Sequence, residues 1–276
     1  MCFNLKNFLK NNIKYIYSAL TALTVLALVF TCVFINSQKF NKEIQGSKYR
    51  HEEILLPPAP PPAPEPVYPE QIPGRYNTEL PDQKTIYLTF DDGPSDVTGA
   101  ILDVLKEKNV KATFFALGKN AERNPALLQR IAKEGHKIAN HSYSHEYESL
   151  YDDTDFFIND VKRAEEIIIS IAGEDAFSKV FRFPGGSFEK YKAPKMDILI
   201  ENDYCFVDWN ASNGDAEGHD IPKEKLIANA IESSNGKNTI VLLMHDSHGK
   251  TTTAEALPEI IDYFKENGYY FAVFKR

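Results

Sequence analysis

Residues Thr85–Ser95 read TIYLTFDDGPS, and this stretch sets the frame for the rest of the chain. Six residues of β-branched, aromatic and aliphatic type form a strand pattern that is apolar on both faces. Two carboxylates follow at its end, then a Gly-Pro turn, then a helical pattern over Gly99–Lys108. A strand buried on both faces and followed by a helix is the repeating unit of a parallel sheet covered by helices. The unit recurs downstream. Strand-like runs are Ala112–Leu117, His136–His141, Val180–Pro184, Tyr204–Asn210, Thr239–His245 and Tyr269–Phe274. Helical patterns are Pro125–Glu134, Asp155–Ala172, Ala193–Asn202, Lys223–Ser233 and Ala254–Glu266. Strands alternating with helices predict parallel pairing with crossover helices. Periodicity leaves a closed barrel and an open doubly wound sheet equally admissible.

Upstream, the composition changes twice. Ile16–Ile35 (IYSALTALTVLALVFTCVFI) carries no charge, and a run of about twenty apolar residues matches a bilayer core. Lys6, Lys10 and Lys14 precede it without any Asp or Glu, and no A-x-A cleavage pattern follows. The positive-inside tendency places residues 1–15 in the cytoplasm and makes residues 16–35 a single-pass signal anchor. Everything after Ile35 is then extracellular, on the outer side of the cell membrane. Leu56–Pro69 (LPPAPPPAPEPVYP) favours polyproline II, so residues 36–80 are expected to be an extracellular Pro-rich linker. The folded domain is expected over residues 81–276. A net charge of −8 gives no basic face for nucleic acid. Of the three cysteines, Cys2 and Cys32 lie in or beside the apolar segment. Cys205 is alone in the domain, so no internal disulfide is expected and it reads as a small buried residue.

The polar residues that interrupt the apolar runs fall at strand ends. Asp91 and Asp92 follow the first strand, His141 and His145 the third, and Arg182 lies in the fourth. Asp215 comes after the fifth, and His245 with Asp246 closes the sixth. In parallel α/β folds the C-terminal strand ends form the active-site face, so these groups are expected to converge. Asp92, His141 and His145 supply one carboxylate and two imidazoles, a set that leaves positions open on Zn²⁺, Co²⁺ or another divalent ion. The histidine spacing suits one helix face or one turn. Successive side chains alternate in an extended backbone, so Asp91 faces away from its neighbour and is placed to take a proton from water. His245 is placed to protonate a leaving group, with Arg182 and Asp215 tuning the carboxylate and the imidazole.

In order, the chain carries T-F-D-D-G (89–93), H-S-x-x-H (141–145), R-x-P-x-G (182–186), a Trp209-containing segment ending at Asp215, and L-x-H (243–245). Together these resemble the NodB-homology polysaccharide deacetylases, carbohydrate esterase family 4, over roughly residues 81–276. The resemblance implies a distorted (β/α) barrel. It implies Asp91 as general base, Asp92, His141 and His145 as metal ligands, and Arg182 orienting the base. It also implies His245 as acid tuned by Asp215, Leu243 lining an acetyl pocket, and the Gly185 amide holding an oxyanion. The implied reaction is metal-dependent removal of acetyl from hexosamines of an acetylated polysaccharide by a monomeric catalytic domain. Anchor and spacer favour peptidoglycan N-acetylglucosamine over chitin-type oligomers. An O-acetyl esterase on xylan or a non-catalytic wall-binding module are the rival readings. Two positions depart from the family pattern. Ala216 follows Asp215 where many members have Trp, and Gly185 replaces a residue that is often aromatic. Trp209 then either walls the sugar site or is a buried strand residue.

Overall fold

The computed structural model describes Thr31, Tyr68, residues 70–80 and residues 82–276. Residues 65–276 form one compact unit. The expected anchor, apart from Thr31, and the proline-rich stretch, apart from Tyr68, lie outside the described residues. Among the described residues no helix is long and apolar enough to cross a membrane.

The strands are β1 (Gly74–Arg75), β2 (Thr85–Asp91), β3 (Thr113–Ala116), β4 (Lys137–Asn140), β5 (Phe177–Phe181), β6 (Cys205–Phe206), β7 (Ala211–Ser212), β8 (Thr239–His245) and β9 (Tyr270–Ala272). All pairings are parallel, in the order β1-β6-β5-β4-β3-β2-β8-β7. Among the described residues β7 does not pair with β1, so the expected distorted barrel is an open half-barrel. β9 pairs with the lower half of β2, and β3 takes the upper half of the same edge.

Side chains alternate along a strand, so each strand divides its residues between two cores. From β2, Ile86, Leu88 and Phe90 pack outward under the helices, in a cluster with Ile101, Leu102, Leu257 and Ile260. Tyr87 points inward and packs with Phe115, Val180, Val207, Val241 and Phe274. The floor of the half-barrel is aromatic. Phe274 stacks on Tyr87 at 4.7 Å and meets Tyr76 and Phe115 edge-on at 4.9 and 5.8 Å. The same parity carries Asp91 and His245 to the mouth, opposite one another across β2 and β8.

Four sequence expectations need correction. The linker does not extend to residue 80, because β1 pairs with β6 and both Tyr76 and Leu80 are buried in the inner core. Isolated apolar residues in a polar segment gave no period to read. Tyr204–Asn210 is not one strand. β6 stops at Phe206, where Asp208 turns aside to accept from the Ser187 backbone N–H (2.8 Å) and to pair with Arg75 (3.1 Å). Arg182 lies one residue past the end of β5, not within it. Helices over Gly118–Arg123 and Tyr147–Asp152 were not expected. Each is a short piece of 6 residues, with too few turns for a helical period to show.

Candidate active site

β2 ends at Asp91, and the chain turns at once. Asp92 adopts a left-handed conformation (φ 75°), as do Ser142 (78°) and His145 (57°). Non-glycine residues in this region store strain that the surroundings must hold, and they concentrate at functional sites. The two histidines lie on one turn and not on a helix, and Ser142 Oγ accepts from the His145 backbone N–H at 3.0 Å.

These turns bring Asp92, His141 and His145 together, with their ligating atoms all within 4.8 Å of one another. Asp92 Oδ1 lies 3.3 Å from His145 Nε2 and 3.5 Å from His141 Nε2. That oxygen is buried and has no hydrogen-bond partner among the described residues. An orphaned carboxylate oxygen facing two imidazole nitrogens fits a divalent cation. His141 Nδ1 lies 2.8 Å from the Arg182 carbonyl oxygen, which can only accept, so the ring proton sits on Nδ1 and the Nε2 lone pair is free. Burial holds the His141 pKa down at about 3, which keeps the ring neutral, as a ligand must be.

Beside this cluster, Asp91 Oδ1 accepts from Arg182 Nη1 at 2.9 Å. The same Nη1 reaches Thr89 Oγ1 at 2.8 Å, and the guanidinium carbon sits 4.0 Å from the Phe115 ring centroid. Arg182 is wholly buried and paired, so its lost hydration is offset by that charge and those hydrogen bonds. Burial pushes the Asp91 pKa above the usual carboxylate range, with Arg182 and His245 acting against it. Its second oxygen, Oδ2, is 3.9 Å from His141 Nε2.

Across the ladder, His245 Nδ1 lies 2.7 Å from Asp215 Oδ1. Asp215 Oδ2 accepts from the His245 backbone N–H (2.8 Å) and from Thr253 Oγ1 (2.7 Å). Burial alone would lower the His245 pKa, but the Asp215 hydrogen bond and charge outweigh it and raise the value to about 9. For Asp215 burial works upward, and the hydrogen bonds from His245 and Thr253 prevail, so its pKa falls.

Leu243 lies on the inner face in register with Thr89. Trp209 is half-buried beyond the end of β6 and meets exposed Phe188 edge-on at 5.4 Å. It therefore belongs to the rim and not to a strand. All ten sequence-derived site residues thus border one mouth or the layer just beneath it.

Four neighbours had been given no role. Asp246 is buried and accepts from Thr98 Oγ1 at 2.6 Å, with burial raising its pKa to about 7. A β-carbon on Gly93 would come within 2.0 Å of Asp246 Oδ2, so glycine is required for this close approach. Tyr147 packs edge-on against His145 at 5.2 Å, and Tyr151 and Lys192 support the turn that carries Gly185. The presence of Asp246 beside His245 was readable. The roles of the other three needed the fold.

Residues 79–199 match the family model described as Polysaccharide deacetylase. A Bacillus cereus protein named peptidoglycan-N-acetylglucosamine deacetylase is 32% identical over 205 residues, covering 73% of this chain and 72% of that one. This chain belongs to the polysaccharide deacetylase family. The solved structures agree with that placement. A Streptococcus mutans CE4 esterase superposes with a TM-score of 0.65 at 36% identity, covering 70% of this chain and 87% of that one. The catalytic domain of a peptidoglycan N-acetylglucosamine deacetylase from Eubacterium rectale gives 0.63 at 36%, covering 71% and 91%. The chain is a polysaccharide deacetylase-like enzyme of a family that acts on N-acetyl bonds of glycans. Deacetylases of this family are metalloenzymes, in keeping with the Asp92, His141 and His145 cluster.

Proposed function

We propose that this enzyme removes acetyl groups from N-acetylglucosamine residues of peptidoglycan at the outer face of the cell membrane, using Zn²⁺. The observation that carries the reading is the pairing of Asp91 with His245 across β2 and β8, at the strand ends where Asp92, His141 and His145 come together. A divalent ion on those three ligands supplies polarisation of the acetyl carbonyl and a lowered pKa for water.

The chain's own residues do the rest. Asp91, with Oδ1 occupied by Arg182, takes the water proton at Oδ2 as the new C–O bond forms. The Gly185 N–H donates to the oxygen that becomes negative. His245, with Nδ1 engaged by Asp215, gives its Nε2 proton to the sugar nitrogen as the C–N bond breaks. Water and amide thereby become acetate and a free amine. Leu243 walls the methyl group, and Trp209 borders the sugar. Residues 16–35 hold the enzyme in the membrane, and the proline-rich spacer extends it toward the wall.

The test uses the full chain solubilised in detergent, with acetate measured from purified peptidoglycan, chitin oligomers and O-acetylated xylan. Release from peptidoglycan, lost on chelation and restored by Zn²⁺ without a change in circular dichroism, is the expected result. Release from xylan alone, or release that survives chelation at confirmed zero metal, overturns the reading.

A further inference from the structure

Behind the turn Pro184–Ser187 lies a lysine withdrawn from solvent. Lys192 is 1% exposed, and its Nζ donates to the carbonyl oxygens of Pro184 (3.1 Å) and Gly186 (2.6 Å). Glu189 pairs with it at 3.5 Å, and the ammonium sits 4.4 Å from the Tyr151 ring centroid. Tyr151, itself buried, donates its hydroxyl to the same Pro184 oxygen at 2.7 Å. An ammonium is taken out of water only where partners replace its hydration. Here the partners are two backbone carbonyls that flank Gly185.

The Pro184–Gly185 peptide is trans. In a trans peptide the C=O and N–H bonds point in opposite directions. Two donors fixed on the Pro184 oxygen therefore turn the Gly185 N–H away from the buried ammonium. Among the described residues nothing accepts a hydrogen bond from that N–H. The α-carbon of Gly185 (φ 70°) faces Tyr147, whose ring atoms stand 3.0 Å from the place a β-carbon would occupy. Tyr147 in turn packs on His145. Gly185 is thus separated from the ligand His145 by the single side chain of Tyr147, and the carbonyl of its peptide is tied from behind.

We propose that Lys192, assisted by Tyr151, is a positioning residue that aims and polarises the Pro184–Gly185 peptide so that the Gly185 N–H is set for the oxyanion before substrate arrives. This rests on the reading of the Gly185 amide given above. A charged donor on a peptide oxygen draws electron density from the amide and strengthens its N–H as a donor. The interaction matters when negative charge develops, so it acts on kcat and leaves KM in place.

Full-length wild type, Lys192→Met and Tyr151→Phe are compared for kcat and KM on purified peptidoglycan, for bound zinc and for melting temperature. Losing one oxyanion donor outright costs about 10²–10³ in kcat. Lys192→Met keeps the donor but loses its aim, so a drop of roughly ten- to hundred-fold is expected, with KM within about twofold and zinc content unchanged. Tyr151→Phe should give a smaller drop of the same kind. A folded Lys192→Met with wild-type kcat overturns the proposal, as does a loss carried by KM or by zinc. If Lys192→Met does not fold, Tyr151→Phe decides on the same criteria. The amide ¹H–¹⁵N resonance of Gly185 gives a readout without turnover, and it should move upfield in both variants. A wild type that releases no acetate from peptidoglycan refutes the proposed function, whereas an unmoved Gly185 resonance refutes the role of Lys192.

Discussion

Asp215→Asn keeps the size of the residue that holds His245 but removes its charge. In the wild type His245 is held at about 9 against an ordinary 6.5, with Asp215 as the first group opposing its burial. Without that charge the burial remains, so the value should fall to 6.5 or below. The difference of about 2.5 units corresponds to roughly 3 kcal/mol of preference for the charged imidazole. An acid must carry its proton to act, so the alkaline limb of the rate profile moves to lower pH, not higher. At pH 8 the protonated fraction drops from about nine-tenths to about one-thirtieth, roughly thirty-fold in rate. At pH 6 both enzymes retain most of the proton, and what difference remains reports the looser ring. The assay is kcat/KM for acetate release between pH 5 and 10, with the His245 ring followed by NMR in parallel. A limb that stays near pH 9 in Asp215→Asn, or that lies near 6.5 in the wild type, refutes this account of the pair.

Two further outcomes follow from the same geometry. Asp91→Asn should retain zinc yet slow turnover by about 10²–10⁴, whereas Asp92→Asn should lose zinc affinity and recover activity partly in excess metal; metal analysis beside kinetics exchanges the two assignments if the pattern is reversed. A fragment starting at residue 81 lacks β1, Tyr76 and part of the inner core, so it should melt well below one starting at residue 66, and equal melting curves would show that this segment adds no stability.

Much of this was legible because the inner strands are apolar on both faces. β8 was read to its residue bounds from TIVLLMH, and β2 to within one residue. Polar residues that break such runs are costly unless used, which is why Asp91, His141, Arg182, Asp215 and His245 stood out. Other features have causes far away in the sequence. Tyr76 and Leu80 are buried because β6, some 130 residues later, completes their pocket. Tyr204–Asn210 looked like one strand because nothing local shows Asp208 turning toward Ser187 and Arg75. Lys192 has no signal in the sequence because its partners are carbonyl oxygens, which no residue pattern advertises.

The seven-residue ladder between β2 and β8 also dictates an order of events during synthesis. β2 emerges early and can find β3 at once, but its other edge waits for Thr239–His245, and its lower half waits for Tyr270–Ala272. Until then a fully buried strand of the native state, TIYLTFD, offers unpaired amides and carbonyls to any passing chain. Closing so long a loop is slow as well as late. Hydrolytic competence therefore cannot precede the emergence of Thr239–His245, and a nascent chain stalled before Thr239 carries the base without its acid.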